Sequence, residues 1–279
     1  MQFDVAGEAN HAITDILYGV SLCALSKKDG GIRLIPFQLG FGTKGGCEAA
    51  VHCCRTFIHQ NTDTPKVLLK IDFRNAFNTV ERNEMLKCVK NRIPKLYNIL
   101  FQCYSKSSQL FFEEKRILSQ VGAQQGDPAG PLLFFLVIQA VIENLNSELN
   151  IFYLDDGTLG GDTNTVLQDL DTIIKSCWNL GLQINPSKCE LYFCSTYKKD
   201  VHESFNQLSP GIKVLQDVIT LLGAPLNVQS TAKLLNQKHD EIRLLFLRLK
   251  FLQSHIAYVL LRNYFAIPKL TYLLRTSPA

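Results

Sequence analysis

The sequence predicts an α+β fold on three observations. Short apolar, strand-like runs alternate with helical patterns through residue 227, no long polar or single-letter tract breaks the chain, and 46% of the 279 residues are hydrophobic. With 19% charged residues and a mean hydropathy of +0.04, this composition supports a sizeable packed core and disfavours disorder, collagen and coiled coil. The longest apolar run, residues 131–142 (PLLFFLVIQAVI), is shorter than the roughly 18–20 residues of a membrane span. It reads as a buried helix, and no membrane partner is expected.

Residues 20–37 place two apolar segments around Lys27-Lys28-Asp29-Gly30-Gly31, a β-hairpin pattern with a basic tip. Cys47, Val51, Cys54 and Ile58 recur at helical spacing, so a helix is expected over 46–60. Val67–Phe73 (VLLKIDF) is an apolar strand carrying Asp72 at its end, followed by a helix from about Glu81 to Arg92 that Pro94 should stop. A second helix and a hairpin over 109–119 lead to GAQQGDPAG (122–130), where Pro131 suits the first turn of the apolar helix. In IFYLDDGTLGG (151–161) Asp-Gly between apolar arms signals a hairpin with two carboxylates at its tip. A helix over 163–181 closed by Gly181, strand material at 182–185 and 189–194, and an all-helical segment from about Ser230 to Leu274 complete the chain.

The N-terminus has no secretory pattern, and nine cysteines without CxxC pairs read as reduced thiols. An intracellular address, nucleus or cytoplasm, without structural disulfides is expected. Trp178 and the phenylalanine-rich helices read as core. The group Cys47, His52, Cys53, Cys54 and His59 lacks zinc-finger spacing, and helix packing explains its cysteines better. Net charge is +4, but residues 228–279 hold eight Lys or Arg against two acids, giving +6 there and −2 over the rest. That distribution suits a clamp on a polyanion beside a cation-binding body, with salt-sensitive binding.

Asp72 at a strand end and Asp155-Asp156 at a hairpin tip could meet at one sheet edge. Taken singly such acids are mostly structural, since Asp is common in turns and caps. Together they are hard oxygen ligands suited to Mg²⁺. Two such ions about 4 Å apart serve in-line phosphoryl displacement, so nucleotidyl transfer is the expected chemistry.

The ordered strings KIDFRNAF, GAQQGDPAGPLLF, FYLDDG, LGLQINPSKCE and LLGAP, preceded by SKKDGGIRLI, resemble motifs A to E and motif 2 of the reverse transcriptase domain of non-LTR retrotransposons. IPKLTYLLRTSP resembles thumb sequence of such elements. The resemblance, from about Leu22 to the C-terminus, implies a right-hand polymerase with an antiparallel palm sheet. It implies partial fingers over 1–66, a palm over 67–227 with a finger-like insert at about 95–120, and a basic helical thumb, read as incomplete, over 228–279. The implied partners are RNA template, DNA primer, dNTPs and other domains of a parent retrotransposon protein; the implied cofactor is a pair of Mg²⁺ ions, with Mn²⁺ as substitute.

By the same resemblance, Asp72 and Asp155 ligate both metals, the Phe73 carbonyl is a further ligand and Asp156 is the neighbouring acid. Lys188 corresponds to a lysine that protonates leaving pyrophosphate. Lys27 or Lys28 and Arg33 would contact triphosphate, Gln125 and Gly126 would lie beside nucleotide and template, and Phe77 would be a steric gate against the 2′-hydroxyl. Tyr153, Leu222 and Gly223 would position the primer. From the residues alone, Phe77 is equally a core side chain, Lys188 a loop lysine, Gln125-Gly126 a helix-entry turn and Leu222-Gly223 a strand turn. Leu34 and Ala129 depart from the family pattern, and motif 1 and an endonuclease, integrase or RNase H signature are not recognisable. A non-polymerising, nucleic-acid-binding remnant is the alternative reading. An RNA-dependent RNA polymerase is disfavoured by Phe77.

Overall fold

The computed structural model describes residues 38–40, 43–60, 64–124, 126–195, 197–265 and 267–278. The expected hairpin at 20–37, with Lys27, Lys28 and Arg33, lies outside the described residues, as does Gln125.

Helix α1 (Gly46–Ile58) turns Ala50, Val51, Cys54 and Phe57 inward, the spacing read from the sequence. Strand β1 (Lys66–Ile71) follows, then a single turn α2 (Ala76–Thr79) and helices α3 (Arg82–Arg92) and α4 (Pro94–Tyr104). Pro94 opens α4 in its first turn, where the missing N–H costs no helical bond. It ends α3 only because the chain restarts there.

Strands β2 (Ser108–Phe112) and β3 (Lys115–Ser119) form a separate hairpin. Helix α5 (Gly130–Ile142) buries nearly every residue, as an all-round apolar helix must. Strands β4 (Leu149–Tyr153) and β5 (Asp156–Asp162) make the second hairpin. Helix α6 (Thr163–Trp178) is capped by Asp162, whose carboxylate accepts the Asn164 N–H at 3.0 Å. It ends three residues before Gly181, which occupies the left-handed region in the following turn. Trp178 is 68% exposed and not a core residue, because the helix end carries it past the packed layer.

Strand β6 (Glu190–Phe193), helix α7 (Lys199–Leu208) and strand β7 (Lys213–Leu215) come next. Residues 182–185 contribute only an isolated bridge between Ile184 and Phe73. The sheet order is β4-β5-β1-β6-β7. Its pairs are antiparallel except β6–β7, which is parallel because α7 carries the chain back in the same sense. Alternation sends Val67, Leu69 and Ile71 of β1 to one face, against α3 to α6, whereas Leu68 joins α1 on the other.

Strands β8 (Thr220–Leu221) and β9 (Ala224–Pro225) form a minimal hairpin packed on that second face. Helices α8 (Val228–Leu249) and α9 (Ser254–Leu260), a π-helical turn (Leu261–Phe265) and α10 (Ile267–Thr276) complete the chain. All eight described cysteines are free. No described helix is long and apolar enough to cross a membrane.

Candidate active site

The register of the sheet gathers the acids. Ile71 pairs with Gly157, so Asp72 leaves β1 beside the first residues of β5. Because Ile71 faces the core, Lys70 and Asp72 turn to the opposite face. On β4 and β5, Tyr153 pairs with Asp156, which leaves Leu154 and Asp155 as the two loop residues. The turn is therefore Leu-Asp and not the expected Asp-Gly: Asp155 sits at the tip and Asp156 already belongs to a strand. Gly157 is instead required beneath the Phe152 ring, which a Cβ there would meet at 2.7 Å.

The electrostatics follow from this crowding. Burial raises the pKa of Asp155, with Asp72 adding to the rise and a backbone hydrogen bond and Lys188 opposing it. Asp156 keeps solvent access, yet the enclosure of its carboxyl, then Asp155 and Asp72, raise its pKa as well. Asp72 presents a buried Oδ1 with no hydrogen-bond partner. Its Oδ2 lies 3.9 Å from Nζ of the exposed Lys188. The turn carrying Lys188 also holds the backbone of Asp72: Asn185 N–H donates to its carbonyl at 2.8 Å, and its N–H donates to Cys189 Sγ at 3.5 Å. Burial pushes the Cys189 thiol up to about 11, so this sulfur is a spacer rather than a nucleophile.

A cleft of about 330 Å³ opens beside Asp72 and Asp156, lined also by Lys70, Lys188 and Lys213 and by Leu221 and Leu222; Asp155 lies outside its lining. On its floor Lys70 pairs with Glu190 at 2.5 Å, a contact that sequence reading missed because the two residues lie on different strands. Among the described residues, no three His, Cys, Asp or Glu side chains close into a group that could hold a metal ion.

The remaining expected site residues fall around this cleft in different ways. Phe73 is buried in the core. Phe77 is half-buried, its ring 4.7 Å from that of Phe134, and its carbonyl accepts the Ala123 N–H at 2.7 Å. Gly126 has φ +88° and open space around a would-be Cβ, so conformation rather than crowding selects glycine. Asp127 anchors the loop by accepting from the Tyr104 hydroxyl and, at 2.8 Å, from the Ala129 N–H. Buried Arg82, unremarked in the sequence, donates to the carbonyls of Gly122 at 3.0 Å and Ser119 at 2.8 Å and so fixes the approach to α5.

Leu222 and Gly223 form the β8–β9 turn with φ 49° and 77°, the pair of positive values that a two-residue type I′ turn needs. The Tyr272 hydroxyl of α10 donates to the Leu222 carbonyl at 2.9 Å. Arg55 of α1 donates to the carbonyls of Pro225 and Thr276. These contacts join α1, the turn and α10.

A mostly antiparallel central sheet flanked by helices, with a lysine-lined cleft at the carboxylate end of β1, is consistent with the right-hand polymerase fold. The chain belongs to the reverse transcriptase (RNA-dependent DNA polymerase) family, whose profile matches residues 24–245. Its fold is similar to that of telomerase from Candida albicans, solved in complex with the TWJ fragment of telomeric RNA. The two share 13% identity over 74% of this chain and 35% of that one, with a TM-score of 0.50. Telomerase from Candida tropicalis, also in complex with a TWJ fragment of telomeric RNA, shares 11% identity over 92% of this chain and 48% of that one, with a TM-score of 0.49. The chain thus spans less than half of either telomerase chain. No curated protein matches it.

Proposed function

We propose that this chain is the polymerase body of a non-LTR retrotransposon reverse transcriptase, extending a DNA primer on an RNA template with dNTPs. The observation that carries the reading is the meeting of Asp72, Asp155 and Asp156 at one end of β1 and β5, with Asp72 Oδ1 buried and unpartnered. Mg²⁺ is commonly held by one or two carboxylates together with substrate phosphates, which suits a site where protein side chains alone close no cage. Asp72 and Asp155 would hold the ions, with the Phe73 carbonyl and Asp156 beside them. Two Mg²⁺, or Mn²⁺ in their place, supply activation of the primer hydroxyl and charge stabilisation at the leaving pyrophosphate.

The chain's own groups do the rest. Lys188, an exposed ammonium beside Asp72, would give a proton to the leaving pyrophosphate. Phe77, half-buried against Phe134, would leave no room or hydrogen-bond partner for a 2′-hydroxyl. Lys27, Lys28, Arg33, Gln125 and Gly126 would bind nucleotide, and Tyr153, Leu222 and Gly223 the primer. The division into fingers (1–66), palm (67–227) and thumb (228–279) belongs to the same proposal.

Primer extension on an RNA template with Mg²⁺, with dNTPs and rNTPs in parallel, tests the reading. Wild-type protein is expected to extend with dNTPs, and Asp155→Asn to lose the activity while keeping its fold. Equal extension by the variant would remove the assignment of Asp155. No extension by the wild type, with primer–template still bound, would favour a non-polymerising binding module.

A further inference from the structure

Four described non-glycine residues have positive φ: Asn75, Glu113, Leu154 and Leu222. Leu154 matters most, because it immediately precedes Asp155 and has φ +58°, a conformation L side chains rarely adopt. Something must hold it there.

The holder is Gln38, fully buried and about 116 positions away in sequence. Its Oε1 accepts the Leu154 N–H at 2.8 Å, and its Nε2 donates to the Leu154 carbonyl at 3.1 Å. The Gly40 N–H, at 2.9 Å, also converges on Oε1, so the partners fix the orientation of the amide. Residues 38–40 run along β4 on the side away from β5, with Gln38 bridged to Phe152 and the Leu39 N–H on the Phe152 carbonyl at 2.7 Å. At Gly40 a Cβ would stand 2.5 Å from the Leu154 nitrogen, so only glycine allows this approach.

We infer that Gln38 is a positioning residue: its carboxamide clamps both backbone groups of Leu154 and thereby sets where the Asp155 carboxylate stands. A primary amide suits the task because it offers a donor and an acceptor side by side, whereas glutamate would face the Leu154 carbonyl with a second acceptor. The inference rests on the polymerase reading for its catalytic consequence, but the clamp itself can be measured without catalysis.

The test uses the full chain with Gln38→Met, a substitution of similar length without the amide. Hydrogen exchange at the Leu154 amide should accelerate in the variant while the rest of β4 and β5 stays protected. In single-turnover extension the maximal rate should fall about 10- to 100-fold, as expected for a displaced reacting group. Nucleotide half-saturation and primer–template affinity should stay within about twofold. Adding Leu154→Gly, which removes the conformational cost, should recover part of the lost rate; a residue that merely filled space would show no such coupling. Unchanged exchange at Leu154, an unchanged rate, or a double variant slower than Gln38→Met would overturn the inference. If wild-type protein does not extend but exchange at Leu154 still responds to Gln38→Met, the polymerase reading fails and the clamp stands.

Discussion

Helices α5 and α8 bury themselves to very different degrees. Of the 13 residues of α5, 11 are buried; of the 22 residues of α8, only Ser230 and Leu249 are. Phe134 and Phe135 are fully enclosed under the sheet, whereas Phe246, Leu247 and Phe251 stand 49%, 49% and 90% exposed. The core that packs β1 against α3 to α6 takes no buried residue from the C-terminal helices, whereas Tyr272 of α10 packs with α1 on the opposite face of the sheet. Helix α10 ties those helices to the rest of the chain: Tyr272 donates to the Leu222 carbonyl, the Thr276 carbonyl accepts from Arg55, and Arg275 pairs with Glu48 at 2.8 Å.

The comparison breaks most directly by truncating a phenylalanine on each side. Phe134→Ala should cost about 3–5 kcal/mol, because the vacated volume lies in a packed interior. Phe246→Ser, at an exposed position, should stay within about 0.5 kcal/mol of wild type. Urea denaturation at constant slope reads both. Equal costs would mean that the C-terminal helices are as tightly packed as the core and that the contrast is wrong.

A smaller effect sharpens the link between the two regions. Tyr272→Phe removes the hydroxyl that donates to Leu222 and meets Cys47 Sγ at 3.0 Å, a loss of about 1 kcal/mol for a typical hydrogen bond. Burial and the adjoining Cys47 thiol raise the pKa of this tyrosine, so the phenol is neutral and able to donate throughout the physiological range. A stability unchanged by the substitution would show that α10 leans on the turn without holding it.

The order of elements and the meeting of the three acids were legible in the sequence because both are written locally, in strand-length apolar runs and in turn residues. The turn register at Leu154-Asp155 was not, since Asp-Gly is the stronger turn signal in isolation. What overrides it is long-range: Gln38 and Gly40 hold Leu154 in place, and Phe152 demands glycine at 157. Lys70–Glu190, Arg82 and Tyr272 escaped for the same reason, each acting on a residue distant in sequence. Trp178 was misjudged because composition places a tryptophan inside, while the end of α6 decides otherwise.

The smallest effect concerns charge within the better-packed region. Burial, then Asp155 and Asp72, hold the Asp156 pKa above the ordinary carboxylate value. A folded-state pKa above the unfolded one favours the protonated form in the fold. Its contribution is complete below the unfolded carboxylate pKa and is lost as pH rises through the raised value. In chelator-containing buffer at neutral pH, Asp156 therefore weakens the fold, and Asp156→Asn should raise the melting temperature. The difference from wild type should shrink as pH falls below about 4, where both proteins are neutral at this position. A gain that persists unchanged at low pH would trace the effect to packing at Asp156, and the crowding of carboxylates would then not be what the fold tolerates for the sake of its site.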